Sequence, residues 1–256
     1  MAGNEKAVCE FLFSNMASIN LKHLGQLVEI GIPLNNRPGY RPAKSLDEIS
    51  EILTTDSQKK ADVYLNSMGV SIKQAGSSFA FNRLQRANIL EVYSKLGLTN
   101  PQSKITQMDR EVKKFHEGLL PNRNVPWQEF LSEKDFKTLL NYLMMLGSPN
   151  IGKSIHPAEL ILEAPAKDIS ISSIFVYSFN EYFENYKEKF QIAIRRQWVG
   201  QSSNSEHKRA VGLSSKLGNF PWVFNEVVGT PRLGWRDNVE AVDRKTVYFL
   251  MIEKKT

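Results

Sequence analysis

Apolar and polar residues alternate over 61–65 and again over 70–74, and the four residues between them, Asn66-Ser67-Met68-Gly69, are of the kind that close a turn. Asn first and Gly fourth suit a type I turn, so the pattern predicts a β-hairpin. After a small polar loop, Leu84, Ala87, Leu90 and Val92 recur at helical spacing over 83–96, with Asn82 placed to cap the start and Gly97 to end it. The same periodicity predicts helices over 4–16, with Val8, Phe11 and Leu12 inward, and over 19–30. Ser45 and Glu48 form a capping-box pattern ahead of Ile49, Ile52 and Leu53. The proline-rich stretch 33–42 reads as loop, and 109–147 as helical with a break between Pro121 and Pro126. Farther on, isoleucines alternate with serines over 168–179 in a strand-like manner, and Phe183, Tyr186, Phe190 and Ile194 form a helical stripe over 180–197. Strands follow over 222–228 and 245–253. Strands and helices intermix along the chain, which predicts an α/β fold in a single domain with a helical N-terminal part.

The hairpin also carries chemistry. If Leu65 pairs with Val70, Tyr64 falls opposite Ser71 and Asp62 opposite Lys73, so Asp62, Ser71 and Lys73 share one face. Val63, Leu65, Val70 and Ile72 take the other, which is the face a core would use. Taken alone, an aspartate opposite a lysine is commonly a solvated cross-strand pair worth under about 1 kcal/mol.

The order of strand, turn, strand, polar loop and basic helix, with Asp62 on the first strand and Ser71-Ile72-Lys73 on the second, resembles the PD-(D/E)xK nuclease superfamily, and within it the type II restriction endonucleases. The resemblance covers roughly 61–97. It implies the αβα core of those enzymes, a mixed central β-sheet that carries the hairpin and is flanked by helices, with Asp62 as the first acid of the motif and Lys73 as its lysine. Ser71 departs from the pattern, because the family's second acid belongs there. Some members with Ser or Thr at that place supply the carboxylate from the following helix, which makes Glu91 the candidate for the migrated acid. Glu5, Glu10 and Glu51 are the other acids that could serve, and Glu91 could equally be an exposed partner of Lys95.

Hydrolysis of a phosphodiester calls for these residue types. Carboxylates such as Asp62 and Glu91 would hold Mg²⁺, a hard cation that lowers the pKa of a bound water and offsets charge on the transition state. Lys73 would orient that water and neutralise a phosphate oxygen.

Charge supports a nucleic-acid partner once it is located. The formal net charge is +6, and over 187–256 thirteen Lys and Arg stand against seven Asp and Glu, an excess equal to that of the whole chain. A basic region of this kind is the footprint of a phosphate-backbone binder or an ordinary solvated surface. Candidate DNA contacts are Ser71, Gln74, Ser77, Ser78, Arg83 and Arg86 around the hairpin, its loop and its helix. Lys208 and Arg209 lie in the basic region, and Arg232, Trp235 and Arg236 in a Gly- and Pro-containing loop.

Other classes are poorly served. The single cysteine, Cys9, excludes an internal disulfide and a Cys-rich zinc site, and the four histidines are scattered. Gly147 to Ser154 fits the phosphate-loop spacing GxxxxGKS, but 138–146 has the Leu/Met composition of a helix where a strand is needed, and Pro157 follows closely. That segment reads as a loop, with Lys153 a further candidate DNA contact. No membrane-spanning run or leader is apparent, so the expectation is a cytoplasmic Mg²⁺-dependent endonuclease of double-stranded DNA, acting as a homodimer as the resemblance implies. A repair or recombination nuclease and a non-catalytic DNA-binding protein are the alternatives.

Overall fold

The computed structural model describes residues 4–50, 59–77, 79–117, 119, 124–147, 152–200, 203–225 and 245–255. In chain order the elements are α1 (Glu5–Ser14), β1 (Asn20–Leu21), β2 (Gly25–Gln26), β3 (Ile30–Pro33), β4 (Tyr40–Pro42), α2 (Leu46–Ser50), β5 (Val63–Leu65), β6 (Met68–Gln74), β7 (Phe79–Gln85) and α3 (Arg86–Lys95). There follow α4 (Pro101–His116), β8 (Asn124–Pro126), α5 (Glu133–Asn141), β9 (Leu160–Ala164), β10 (Phe175–Ser178), α6 (Phe179–Tyr186), β11 (Phe190–Trp198), α7 (Asn204–Ser214), β12 (Val223–Asn225) and β13 (Lys245–Lys254). The chain forms two compact units, one of Met1–Phe79, Leu140–Lys189 and Lys255–Thr256, the other of Ala80–Leu139 and Phe190–Lys254.

The first unit is built on a six-stranded sheet in the order β10-β9-β6-β5-β3-β4. Its pairs are antiparallel except β6 with β9, so the sheet is mixed, and helices flank it, as expected for the fold class. Val63, Leu65, Val70 and Ile72 lie in its core together with Leu160 and Leu162 of β9 and Val8, Cys9 and Leu12 of α1. Full burial of such side chains contributes roughly 1.5–3 kcal/mol each, which is what seats α1 against the hairpin.

The hairpin register differs from expectation. β5 pairs with β6 as Val63↔Val70, Tyr64↔Gly69 and Leu65↔Met68, so the turn is the two-residue Asn66-Ser67, with φ of 47° and 69°. Two successive positive φ values make it the type I′ turn that matches strand twist. Gly69 is therefore not a turn residue; a Cβ there would lie 2.4 Å from the Pro157 carbonyl oxygen. The two-residue shift also removes the predicted Asp62–Lys73 pairing, since the ladder stops at Val63.

Asn66 tolerates its left-handed backbone because its side chain organises a neighbouring segment. Oδ1 accepts the amides of Val28 and Glu29 at 2.9 and 3.1 Å, and Nδ2 donates to the carbonyls of Leu24 and Gln26 at 3.1 and 2.8 Å. Asn66→Ala is expected to lower stability by about 2–3 kcal/mol, as a shift of the urea unfolding midpoint, because four bonds are lost and a β-carbon without compensation stays at positive φ.

Other elements correct the sequence reading. The segment 19–30 is not a helix but the β1–β2 ribbon, turned by His23 and Gly25 at φ of 68° and 69°. The loop expected over 33–42 is bounded by β3 and β4, which pair. The helix over 180–197 stops at Tyr186, and Phe190–Trp198 pairs residue for residue with β13. Strand periodicity, with Phe190 and Ile192 buried, overrides the helical stripe there. Over 168–179 only β10 and a short 3₁₀ turn form.

The second unit holds β7, β8 and β11 to β13 in one five-stranded sheet. α3 starts at Arg86, three residues later than predicted, and buries Ile89, Val92 and Tyr93 rather than Ala87 and Leu90. Asn82 lies in β7; the amide of Ala87 is satisfied instead by Asn219 Oδ1 at 2.8 Å. Gly97, at φ 67°, ends α3 as expected: its amide bonds Ser94 O and that of Leu98 bonds Tyr93 O, both at 3.0 Å, a Schellman arrangement.

Candidate active site

The first unit links Asp62, Ser71 and Lys73 by hydrogen bonds, with Glu5 and Lys60 near enough to interact electrostatically with Asp62. Asp62 sits just ahead of β5, its amide donating to Val70 O at 2.8 Å. Its Oδ2 accepts the Ile72 amide at 2.7 Å, taking over the next rung of the ladder with a side chain, and receives the Ser71 hydroxyl at 3.4 Å. Oδ1 has no hydrogen-bond partner among the described residues. Lys73 Nζ donates to Ser71 Oγ at 2.6 Å and to Ile72 O at 3.1 Å. Asp62 and Lys73 thus meet through Ser71, although they are not opposite each other in the ladder.

Glu5, in the first turn of α1, faces the same charges. Burial raises its carboxyl above the ordinary glutamate value, and the like charge of Asp62 adds to this while its own backbone hydrogen bond and Lys73 oppose it. Asp62 is raised as well, by burial first, against Lys73, the Ile72 amide, Ser71 and Lys60. Two carboxyls held above their usual range beside one ammonium are a place where a further cation would be welcome. Burial pushes the Cys9 thiol up, which removes it as a nucleophile.

Lys60 is 8% exposed and its Nζ donates to Leu143 O at 2.6 Å. That carbonyl belongs to the π-helical turn Tyr142–Leu146 that closes α5, where the amine serves as a C-terminal cap. The same turn confirms that a helix precedes the GxxxxGKS segment, of which 148–151 lie outside the described residues. Burial, then the like charge of Lys73, opposed by Asp62, lowers Lys60 from 10.5 to about 8. Between those values the unfolded chain binds the proton more tightly than the folded one, so stability rises with pH across the window. Lys60→Met is expected to flatten that rise, read from urea unfolding midpoints measured at either end.

The remaining predicted residues fall out differently. Glu91 is exposed on α3, in the second unit, with Lys95 Nζ at 2.7 Å, the ion pair weighed from the sequence. Glu10 is half-exposed near Lys6, at 3.6 Å, and Glu51 lies outside the described residues. Ser71 is 2% exposed and its hydroxyl serves Asp62 and Lys73. Gln74 ends β6, and its carbonyl accepts the Ser77 hydroxyl at 2.7 Å. The Arg86 guanidinium is tied to Asp109 by three bonds of 3.0–3.3 Å. Lys153 is exposed beside its bridge to Gly147, and Lys208 and Arg209 are exposed on α7. Ser78, Arg232, Trp235, Arg236 and the side chain of Arg83 lie outside the described residues.

Three kinds of comparison bear on relatives. The chain matches no protein-family model, no curated protein and no solved structure. The residues themselves therefore carry the functional reading.

One neighbour was missed in the sequence. β9 pairs with β6 so that Glu163 falls beside Lys73. Glu163 is 2% exposed, and its carboxylate accepts the hydroxyls of Tyr182, at 3.1 Å, and Tyr186. Burial together with Glu163 raises both phenols, so the pair stays protonated and donating. No signal in Leu-Ile-Leu-Glu-Ala marks this residue, since the run has neither strand alternation nor a helical stripe.

Proposed function

We propose that the chain is a Mg²⁺-dependent endonuclease of double-stranded DNA, site-specific and of the PD-(D/E)xK kind, with its second acid on α1. The observation that supports this most is the hydrogen-bonded chain Asp62–Ser71–Lys73 at one end of the β5–β6 hairpin, with Glu5 of α1 near enough for their charges to act on its carboxyl. Among the described residues no three His, Cys, Asp or Glu side chains converge. Magnesium does not ask for three, as it is commonly held by one or two carboxylates and completes its shell with water and phosphate.

Glu5 and Asp62 would hold the ion, whose chemistry is to acidify a bound water and to offset charge at the scissile phosphate. Asp62 presents Oδ1 while the Ile72 amide fixes Oδ2, so the carboxylate is oriented before any substrate arrives. Lys73 exchanges Ser71 Oγ for a phosphate oxygen, neutralising it and orienting the attacking water. Lys208 and Arg209, exposed on α7, supply backbone contacts in the second unit. A twofold homodimer would match two such sites to two strands, and a cytoplasmic setting fits a DNA substrate. Among the described residues no helix is long and apolar enough to cross a membrane.

Incubation with a long unmethylated duplex, with Mg²⁺ or with EDTA, tests the reading on a gel. Discrete fragments with Mg²⁺ alone are expected. A smear indicates a less specific nuclease, and intact DNA with retained binding indicates a binding protein.

A further inference from the structure

Asn4 stands at the N-cap of α1, yet its side chain makes no capping bond. The usual reason for an asparagine at this place, an Oδ1 turned to the amides of the first turn, is absent. Nδ2 instead donates to two successive carbonyls at the end of β9, Ala164 O at 2.7 Å and Pro165 O at 2.8 Å. The Ala164 carbonyl also accepts the amide of Ala75, just past β6, at 2.8 Å. One carbonyl thereby joins the start of α1 to the ends of the two parallel strands that carry Lys73 and Glu163. Asn4 is 6% exposed, and its Oδ1 is buried without a hydrogen-bond partner among the described residues. An unpaired buried acceptor is unfavourable, so this arrangement keeps the residue for its donors.

We propose that Asn4 is a positioning residue, whose amide clamp on Ala164 and Pro165 fixes the first turn of α1 so that Glu5 faces Asp62 and Lys73. The inference takes from the proposed function that Glu5 is a working carboxylate. The apolar face of α1, through Val8 and Leu12, sets how closely the helix lies on the sheet. The clamp sets where along the strands its first turn stops.

The test reads the place of the first turn of α1 directly. Crystal structures of the full chain compare the position of Glu5 relative to the β5–β6 hairpin, and Mn²⁺ binding is measured by calorimetry. In Asn4→Ala the first turn is expected to shift along the strands by one helical rise, roughly 1.5 Å, and Mn²⁺ affinity to drop roughly tenfold, as for other residues that orient metal ligands. Val8→Ala, which loosens the same helix without touching the clamp, is the control and keeps the first turn in the parent position. Should Asn4→Ala not fold, Asn4→Ser, which retains one donor, is read in the same way. A first turn that stays in place in the folded Asn4 variant, or an equal shift in Val8→Ala, overturns the inference. If the parent binds no Mn²⁺, the metal reading fails, and the position of the first turn still decides the role of Asn4.

Discussion

Asp62→Asn is expected to slow DNA cleavage by a factor on the order of 10³ or more while duplex binding persists. The substitution keeps the shape and leaves an oxygen to accept the Ile72 amide, so the hairpin end is preserved. What disappears is the negative charge that would hold the cation. The same change should not cost stability. Burial raises the Asp62 carboxyl, so the folded chain holds this proton more tightly than the unfolded chain does. Its contribution to stability is therefore fully present below the ordinary aspartate value and is lost as pH rises through the raised one. Once ionised, the buried carboxylate is a burden on the fold, and Asp62→Asn, which cannot ionise, relieves it. Thermal unfolding at pH 7 is expected at the parent temperature or above; a marked fall would mean that the carboxylate is a structural partner of Lys73 rather than a functional group.

Lys73→Ala is expected to reduce cleavage by about 10²–10³-fold, since one charged group at the reacting phosphate is removed. It has a second consequence. Lys73 is the largest influence holding the Asp62 carboxyl down against burial, and it also lowers Glu5. Without it both carboxyls rise further, and the acidic limb of the residual pH–rate profile moves to higher pH. Single-turnover rates from pH 5 to pH 9 at saturating Mg²⁺ measure this. A profile that drops in height with an unmoved limb would show that the lysine does not tune these acids.

The hairpin was legible in the sequence because its apolar alternation has one buried solution, and Val63, Leu65, Val70 and Ile72 are in the core. Its register was not, because Gly69 imitates the end of a type I turn while being required by the approach of the Pro157 carbonyl, a contact between residues far apart in the chain. Asp62, Ser71 and Lys73 still meet, since a shift of two residues preserves the alternation of faces. α1 could be read from its period, but which of its acids faces the hairpin depends on how the helix is seated. Asn4 settles that through carbonyls 160 and 161 residues away in the chain. β9 escaped notice because a short buried run paired in parallel shows no polar face. Phe190–Trp198 escaped because its helical stripe was locally as good as its strand pattern, and only the pairing with β13 decides between them.

The acid partner of Asp62 is the point on which the account stands. Cleavage of one mapped site by Glu5→Gln and Glu91→Ala, measured side by side under single turnover, addresses it most directly. A hundredfold or greater loss in Glu5→Gln, on the order seen when a charge-stabilising group is removed, with Glu91→Ala cutting at the parent rate, is the predicted result. The reverse outcome, a silent Glu5 and an essential Glu91, would contradict a site assembled on α1 and the β5–β6 hairpin.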